Sequence, residues 1–162
     1  MKFSEPNALS SVAKFHKMFN LPIGKEPSIP NPDRCKLRIN LIEEELQELK
    51  DAIASGDLTE AADAFADLQY VLSGAILEFG LGDRFKALFD EVQRSNMSKV
   101  CKNRDEAEAT LEHYRKEKQM DGVIVEKDGL YLVYRSRDLK VLKSINYSAA
   151  NIGDIVHSKE LV

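Results

Sequence analysis

The sequence predicts a mainly α-helical protein with a small β extension, and three observations predict it. Before residue 99, four segments repeat apolar residues at helical spacing and are separated by Pro, Gly and Asp/Ser punctuation. Residues 103–119 are densely charged, with a thin apolar stripe that marks one more helix. From Gly122 onward, VIVE and LYLVYR flank Lys127-Asp128-Gly129, the pattern of a β-hairpin. The expected organisation is a helical core over 1–99 and an extension over 100–162.

The elements follow in order. A first helix is expected from after Ser4 to about Asn20, with Pro6 in its first turn and Val12, Phe15 and Phe19 as its buried stripe. Pro22, Pro27, Pro30 and Pro32 then impose an extended connector, because each fixes φ and restricts its predecessor. A second helix is expected from about Asp33 to Ala54, stopping at Ser55-Gly56. Asp57 and Glu60 have capping-box spacing and open a third helix that continues to about Phe79. Gly80-Leu81-Gly82 breaks the chain again. Asp83 then caps a fourth helix with Phe85, Leu88, Phe89 and Val92 on one face. On the charged helix the stripe is Ala107, Leu111 and Tyr114. KVLK at 140–143 suggests a further short strand, and the tail from Ser148 carries no signal.

Bulk properties exclude several functions. With 43% hydrophobic residues the 162-residue chain can build a core, and 31% charged residues and a mean hydropathy of −0.35 describe a soluble surface. A net charge of −4 and a pI near 5.5 argue against nucleic-acid or anionic-membrane partners, which need basic patches. No apolar run approaches the roughly 18 residues of a membrane span. The N-terminal segment is unlike a signal peptide, and Cys35 and Cys101 form no CxxC pair, so a reduced, cytoplasmic protein is expected.

The informative feature is where the acids fall. At roughly 100° per residue, Ile39, Ile42, Leu46, Leu49 and Ile53 of the second helix share one arc, expected to be core. Lys36, Asn40, Glu43, Gln47 and Lys50 lie opposite, on an ordinary solvated face. Glu44, Glu45 and Glu48 fall on neither; they sit at the margin of the buried face with Leu37, Leu41 and Ala52. The third helix is apolar nearly all round, yet Glu60, Asp63 and Asp67 project within one narrow arc. From Asp51 to Asp83 there are seven acids and no Lys or Arg, so sequence neighbours cannot neutralise them.

An acidic run on a helix is ordinarily a solvated face, and that simpler reading covers Glu43. It does not cover acids inside an apolar helix, where an unpaired carboxylate costs several kcal/mol to bury. The tight turn at Ser55-Gly56-Asp57 makes the two helices antiparallel neighbours and brings the acid arcs together. Facing carboxylates without His or Cys are hard oxygen donors, suited to Mg²⁺ or Mn²⁺ rather than zinc. Such ions serve phosphoryl chemistry by activating water and stabilising charge on phosphate oxygens.

These residues also carry a family resemblance. LIEEELQEL, followed after a turn by EAADAFADLQYVLSG, resembles the all-α NTP pyrophosphatase superfamily of MazG-like proteins, phosphoribosyl-ATP pyrophosphohydrolases and dimeric dUTPases. Its hallmark is E-E-x-x-E on one helix and E-x-x-D on the next. Glu44, Glu45 and Glu48 match the first part, and Asp67 matches the final Asp. The pattern is broken at Ala64, where the family usually has Glu; Asp63 is the better substitute and Glu60 the alternative. EVQRSNMSK at 91–99 is similar to a family segment near the substrate phosphates, which implies phosphate contacts for Asn96 and Lys99. A weaker similarity covers YRSRDLKVLKSINY, where Lys140, Lys143 and Tyr147 are candidates against the simpler reading of a surface strand. Phe15 and His16 could stack on a base, although a core position is the simpler reading for both.

The resemblance implies an antiparallel four-helix bundle of the MazG-like type and hydrolysis of an NTP or dNTP to the monophosphate and pyrophosphate. It implies Mg²⁺, or Mn²⁺, held by Glu44, Glu45, Glu48, Asp63 and Asp67, with Glu44, Glu45, Glu48 and Asp67 catalytic. It further implies a homodimer or homotetramer. A ferritin-like di-iron protein fits the sequence poorly, since no Glu stands three residues before His16, His113 or His157. A catalytically silent acidic helical module of the same fold is the alternative that Ala64 keeps open.

Overall fold

A computed structural model describes residues 2–158. The chain is mainly helical: α1 (Ala8–Met18), α2 (Pro32–Ser55), α3 (Leu58–Glu78), α4 (Phe85–Met97), α5 (Arg104–Lys118) and α6 (Ile152–His157), with a two-stranded antiparallel sheet of β1 (Gly122–Lys127) and β2 (Leu130–Arg135). It divides into two compact units, residues 2–85 with 156–158, and residues 86–155.

In the first unit α2 packs along α3, and α1 packs on α3. Local chemistry sets the ends of these helices. Asn31 caps α2 by accepting from the Arg34 backbone N–H at 3.0 Å, and Pro32 occupies the first helical position. Gly56 ends α2 in the left-handed conformation, and the Asp57 carboxylate then accepts from the N–H groups of Thr59 and Glu60 to start α3. Helix α1 is shorter than expected, starting at Ala8 rather than just after Ser4.

The α2–α3 seam is narrow and built from small residues: Leu49 and Ala52 pack with Ala61, Ala64 and Leu68. This corrects the expected core. Of Ile39, Ile42, Leu46, Leu49 and Ile53, only Leu49 is buried; Ile39 is 56% exposed and Ile53 64%. Small side chains let the two helix backbones approach closely, so the seam rotates toward Ala52 and Glu45 and leaves the larger residues outside. The stripe of α1 is corrected similarly. Val12 is buried, but His16 is its buried neighbour, while the exposed Phe15 and Phe19 rings pack at a tilt with centroids 4.4 Å apart, and Phe15 also meets Tyr70 edge-on at 5.7 Å. On α4, Leu88 is buried, but Phe89 and Val92 are exposed.

The first unit also buries a charged network. Glu78 receives hydrogen bonds from Arg34 and Arg38, and Arg38 donates to Nε2 of His16 at 3.1 Å. Nδ1 of His16 donates to the Pro22 carbonyl at 2.8 Å, which makes Nε2 the acceptor. Gly74 leaves the space for this: a Cβ there would stand 2.7 Å from Nη1 of Arg38. The network ties α1, α2 and α3 together.

The second unit has its own core of Cys101, Ala107, Leu111, Val133 and Leu142. Helix α5 supplies its centre, and both strands pack on it. The expected stripe of Ala107, Leu111 and Tyr114 is therefore its inner face. Asp128 and Gly129 both adopt positive φ, which suits the tight hairpin turn between β1 and β2. KVLK forms no strand of its own, only a bridge between Val141 and Tyr134.

Candidate active site

Helical geometry carries the expected acids to the edge of the α2–α3 seam. Glu45 lies one turn from Leu49 along α2, and Asp67 lies one turn from Ala64 along α3. Both are half-buried, whereas Glu44, Glu48 and Asp63 stand exposed beside them. The Glu45 carboxyl is pushed up from its ordinary range, first by burial and then by the charges of Glu48, Asp67, Glu44 and Asp63. All five acids thus share one electrostatic neighbourhood. Oε2 of Glu45 is buried with no hydrogen-bond partner.

An oxygen kept from water without a donor is costly, and here four further carboxylates add repulsion. A hard divalent cation satisfies both, because it supplies a partner and neutralises charge. The donor set fits such an ion: five carboxylates, with no thiolate or imidazole among them. As placed, no three His, Cys, Asp or Glu side chains among the described residues gather tightly enough to chelate one. The side chains stand apart, although the other four act on Glu45.

The remaining expected residues divide. Glu60 is exposed in the first turn of α3 and does not count among the acids acting on Glu45. Ala64 is buried in the seam. Asn96 and Lys99 belong to the second unit, where Nζ of Lys99 donates to Oδ1 of Asn96 at 2.7 Å. His16 is committed to Pro22 and Arg38, so it is a structural histidine rather than a stacking partner. Sequence reasoning missed the network around Glu78. A Glu within the apolar run AILEF signals such a network, but its Arg partners stand some forty positions away.

Two helices joined by a tight turn, with carboxylates from both placed along one edge of their seam, make this a mainly helical protein with an acidic edge. The family model for phosphoribosyl-ATP pyrophosphohydrolase matches residues 12–96, just over half of the chain, and the chain belongs to that family. The matched span contains α2, α3 and every acid of the cluster. The chain is also similar to an uncharacterized protein of Acanthamoeba polyphaga mimivirus, 25% identical, with 78% of this chain and 84% of that protein covered.

Proposed function

We propose that this protein is a divalent-metal-dependent pyrophosphohydrolase that cleaves an NTP or dNTP to the monophosphate and pyrophosphate. The observation that carries the reading is the buried, partnerless oxygen of Glu45 amid four other carboxylates. Membership of a pyrophosphohydrolase family supports the reaction type. Glu44, Glu45, Glu48, Asp63 and Asp67 would hold Mg²⁺, or Mn²⁺ in its place. Such an ion, when bound, supplies Lewis acidity and neutralises charge on a triphosphate.

The chain's own residues do the rest. Glu44, Glu45, Glu48 and Asp67 are the catalytic acids, fixed on two helices rather than on loops, and one glutamate accepts the proton of the attacking water. Asn96 and Lys99 contact substrate phosphates, the lysine as a point charge toward an anion that otherwise faces carboxylates. Family membership supports an antiparallel four-helix bundle of the MazG-like type and assembly as a homodimer or homotetramer. Two free cysteines, Cys35 and Cys101, support a cytoplasmic setting. Among the described residues, no helix is long and apolar enough to cross a membrane.

The test is pyrophosphate release from a panel of NTPs and dNTPs with Mg²⁺, comparing wild type with Glu48→Gln and Asp67→Asn. Metal-dependent release that collapses in both variants is the expected result. No release from any nucleotide by folded wild type, with Mg²⁺ or Mn²⁺, would overturn it. That outcome would favour the catalytically silent module, for which the alanine at position 64, packed into the seam, is the structural argument.

A further inference from the structure

The hairpin of the second unit is closed on one side and open on the other. Strand β2 is its inner strand. Away from β1, Tyr131 exchanges backbone bonds with Cys101 at 2.9 Å each, Arg135 donates to the Lys140 carbonyl at 2.9 Å, and Leu142 donates to the Val133 carbonyl at 2.8 Å. Backbone groups alternate sides along a strand, so Leu130, Leu132 and Tyr134 are the residues of β2 that face β1. Their partners in the register are Lys127, Val125 and Val123. Gly122, Ile124 and Glu126 therefore turn their N–H and C=O groups away from β2. The Gly122 N–H is taken by its neighbour Asp121, whose Oδ1 accepts it at 2.9 Å. Among the described residues nothing hydrogen-bonds the backbone of Ile124 or Glu126.

An open edge is a template for another strand, and proteins blunt such edges with proline, a bulge or an inward charge. The middle of β1 has none of these: its pairing with β2 is continuous, and Val123, Ile124 and Val125 stand in a row. Ile124 packs on the core of the unit, while Val123 and Val125, on the other face of the strand, are exposed. The ends carry opposite charges, Asp121 just before the strand and Lys127 as its last residue. Asp121 is held by Arg115. Lys127 is exposed and forms no salt bridge among the described residues.

We propose that β1 pairs antiparallel with β1 of a second copy of this chain, about a two-fold axis through Ile124. Each Ile124 exchanges both backbone bonds with its equivalent, and each Glu126 N–H donates to the Gly122 carbonyl of the other copy. These are the groups left free, so the Asp121 cap on the Gly122 N–H stays in place. Val123 then faces Val125 of the second copy, and Lys127 faces its Asp121. Moving the axis by one or two residues in either direction sets a valine against Asp121 or Lys127 instead. Only the axis through Ile124 matches both packing and charge. The surface belongs to the second unit alone and is independent of the pyrophosphohydrolase reading. The contact is far smaller than a stable interface, so trapping reads it better than sedimentation.

The experiment is disulfide trapping in the full chain. Val123→Cys and Val125→Cys are oxidised mildly at high protein concentration, each alone and mixed, with wild type as the background for Cys35 and Cys101. In this register positions 123 and 125 lie directly opposite, about 4.5 Å apart at Cα and within disulfide reach. Two copies of position 123, or of 125, stand on a diagonal of about 7–8 Å. The mixture is expected to give a covalent dimer, and each variant alone no more than the wild-type background. Glu126→Pro removes an exposed side chain and an N–H that β2 does not use. Carried in both cysteine variants, it should slow trapping about tenfold, from two lost hydrogen bonds. Lys127→Asp sets like charges opposite and should slow trapping several-fold. Far-UV circular dichroism checks that both remain folded, and if Glu126→Pro does not, Lys127→Asp alone decides. No dimer from the mixture, as much dimer from each variant alone, or trapping undiminished in the folded blocking variants overturns the proposal.

Discussion

At Glu45 a half-buried carboxylate keeps one oxygen from water with nothing donating to it, and four acids press on it. Removing its charge therefore has consequences of opposite sign. Glu45→Gln removes the charge that burial and the four neighbouring carboxylates disfavour, so it is expected to stabilise the metal-free protein, read as a higher Tm in EDTA. The same variant should lose metal-dependent pyrophosphate release. Mg²⁺ should raise the Tm of wild type and leave that of Glu45→Gln nearly unchanged, because only a folded state with a competent site gains from the ion. A lower Tm of Glu45→Gln in EDTA would refute the idea that the carboxylate is held at a cost. The half-burial of Glu45 was legible in the sequence from angular arithmetic along one helix, whereas Glu44 and Glu48, placed by the same arithmetic at the margin of the buried face, stand exposed. The exposure of Asp63 beside the buried Ala64 was not, since it depends on how α3 rotates against α2.

At the scale of elements, the joint between α1, α2 and α3 is polar at its centre. Burial alone would raise the proton affinity of Glu78, but hydrogen bonds and charge from Arg34 and Arg38 outweigh it and hold the carboxyl below its ordinary value of 4.5. A carboxylate whose folded pKa is depressed adds stability above its unfolded pKa and loses it as pH falls through the folded value. Wild type should thus lose urea resistance as pH drops below about 4.5, and Glu78→Gln should lose less over that range while starting lower. At neutral pH the variant strands two guanidinium groups, at a cost of about 3–5 kcal/mol. A parallel pH dependence in both proteins would show that Glu78 is not the titrating partner. Gly74→Ala tests the same joint from the other side. Alanine favours a helix interior over glycine by about 1 kcal/mol. Here its Cβ would meet an Arg38 guanidinium already held by Glu78 and His16. The expected sign is net destabilisation, read as a lower urea midpoint. The helices themselves were legible because caps and prolines act locally. Their buried faces were not, because a stripe of Ile and Leu looks the same whether it meets its own chain or something else.

At the scale of the whole molecule that ambiguity becomes a prediction. Ile39, Leu46 and Ile53 recur every seven residues along α2, and Leu58, Phe65 and Leu72 every seven along α3; all six are exposed. At roughly 100° per residue around each helix, both stripes fall on the opposite side of the seam residues from the carboxylates, so one side of the α2–α3 hairpin is acidic and the other apolar. A seven-residue apolar repeat is the geometry of helix against helix, and an apolar face of this extent is uncommon on a monomer. Covered by the same face of a second copy, it would leave the acid edges open to substrate. The protein should therefore sediment as a dimer or larger at micromolar concentration, and Ile53→Glu with Phe65→Glu should release monomers. Each buried Ile or Phe contributes about 1.5–3 kcal/mol, so even one charged replacement should weaken association about tenfold or more. Both replacements lie outside the seam and the acid cluster, so helicity by circular dichroism should persist. A wild type that sediments as a monomer, or variants that keep its assembled mass, would mean that this face meets something other than a second copy of the chain.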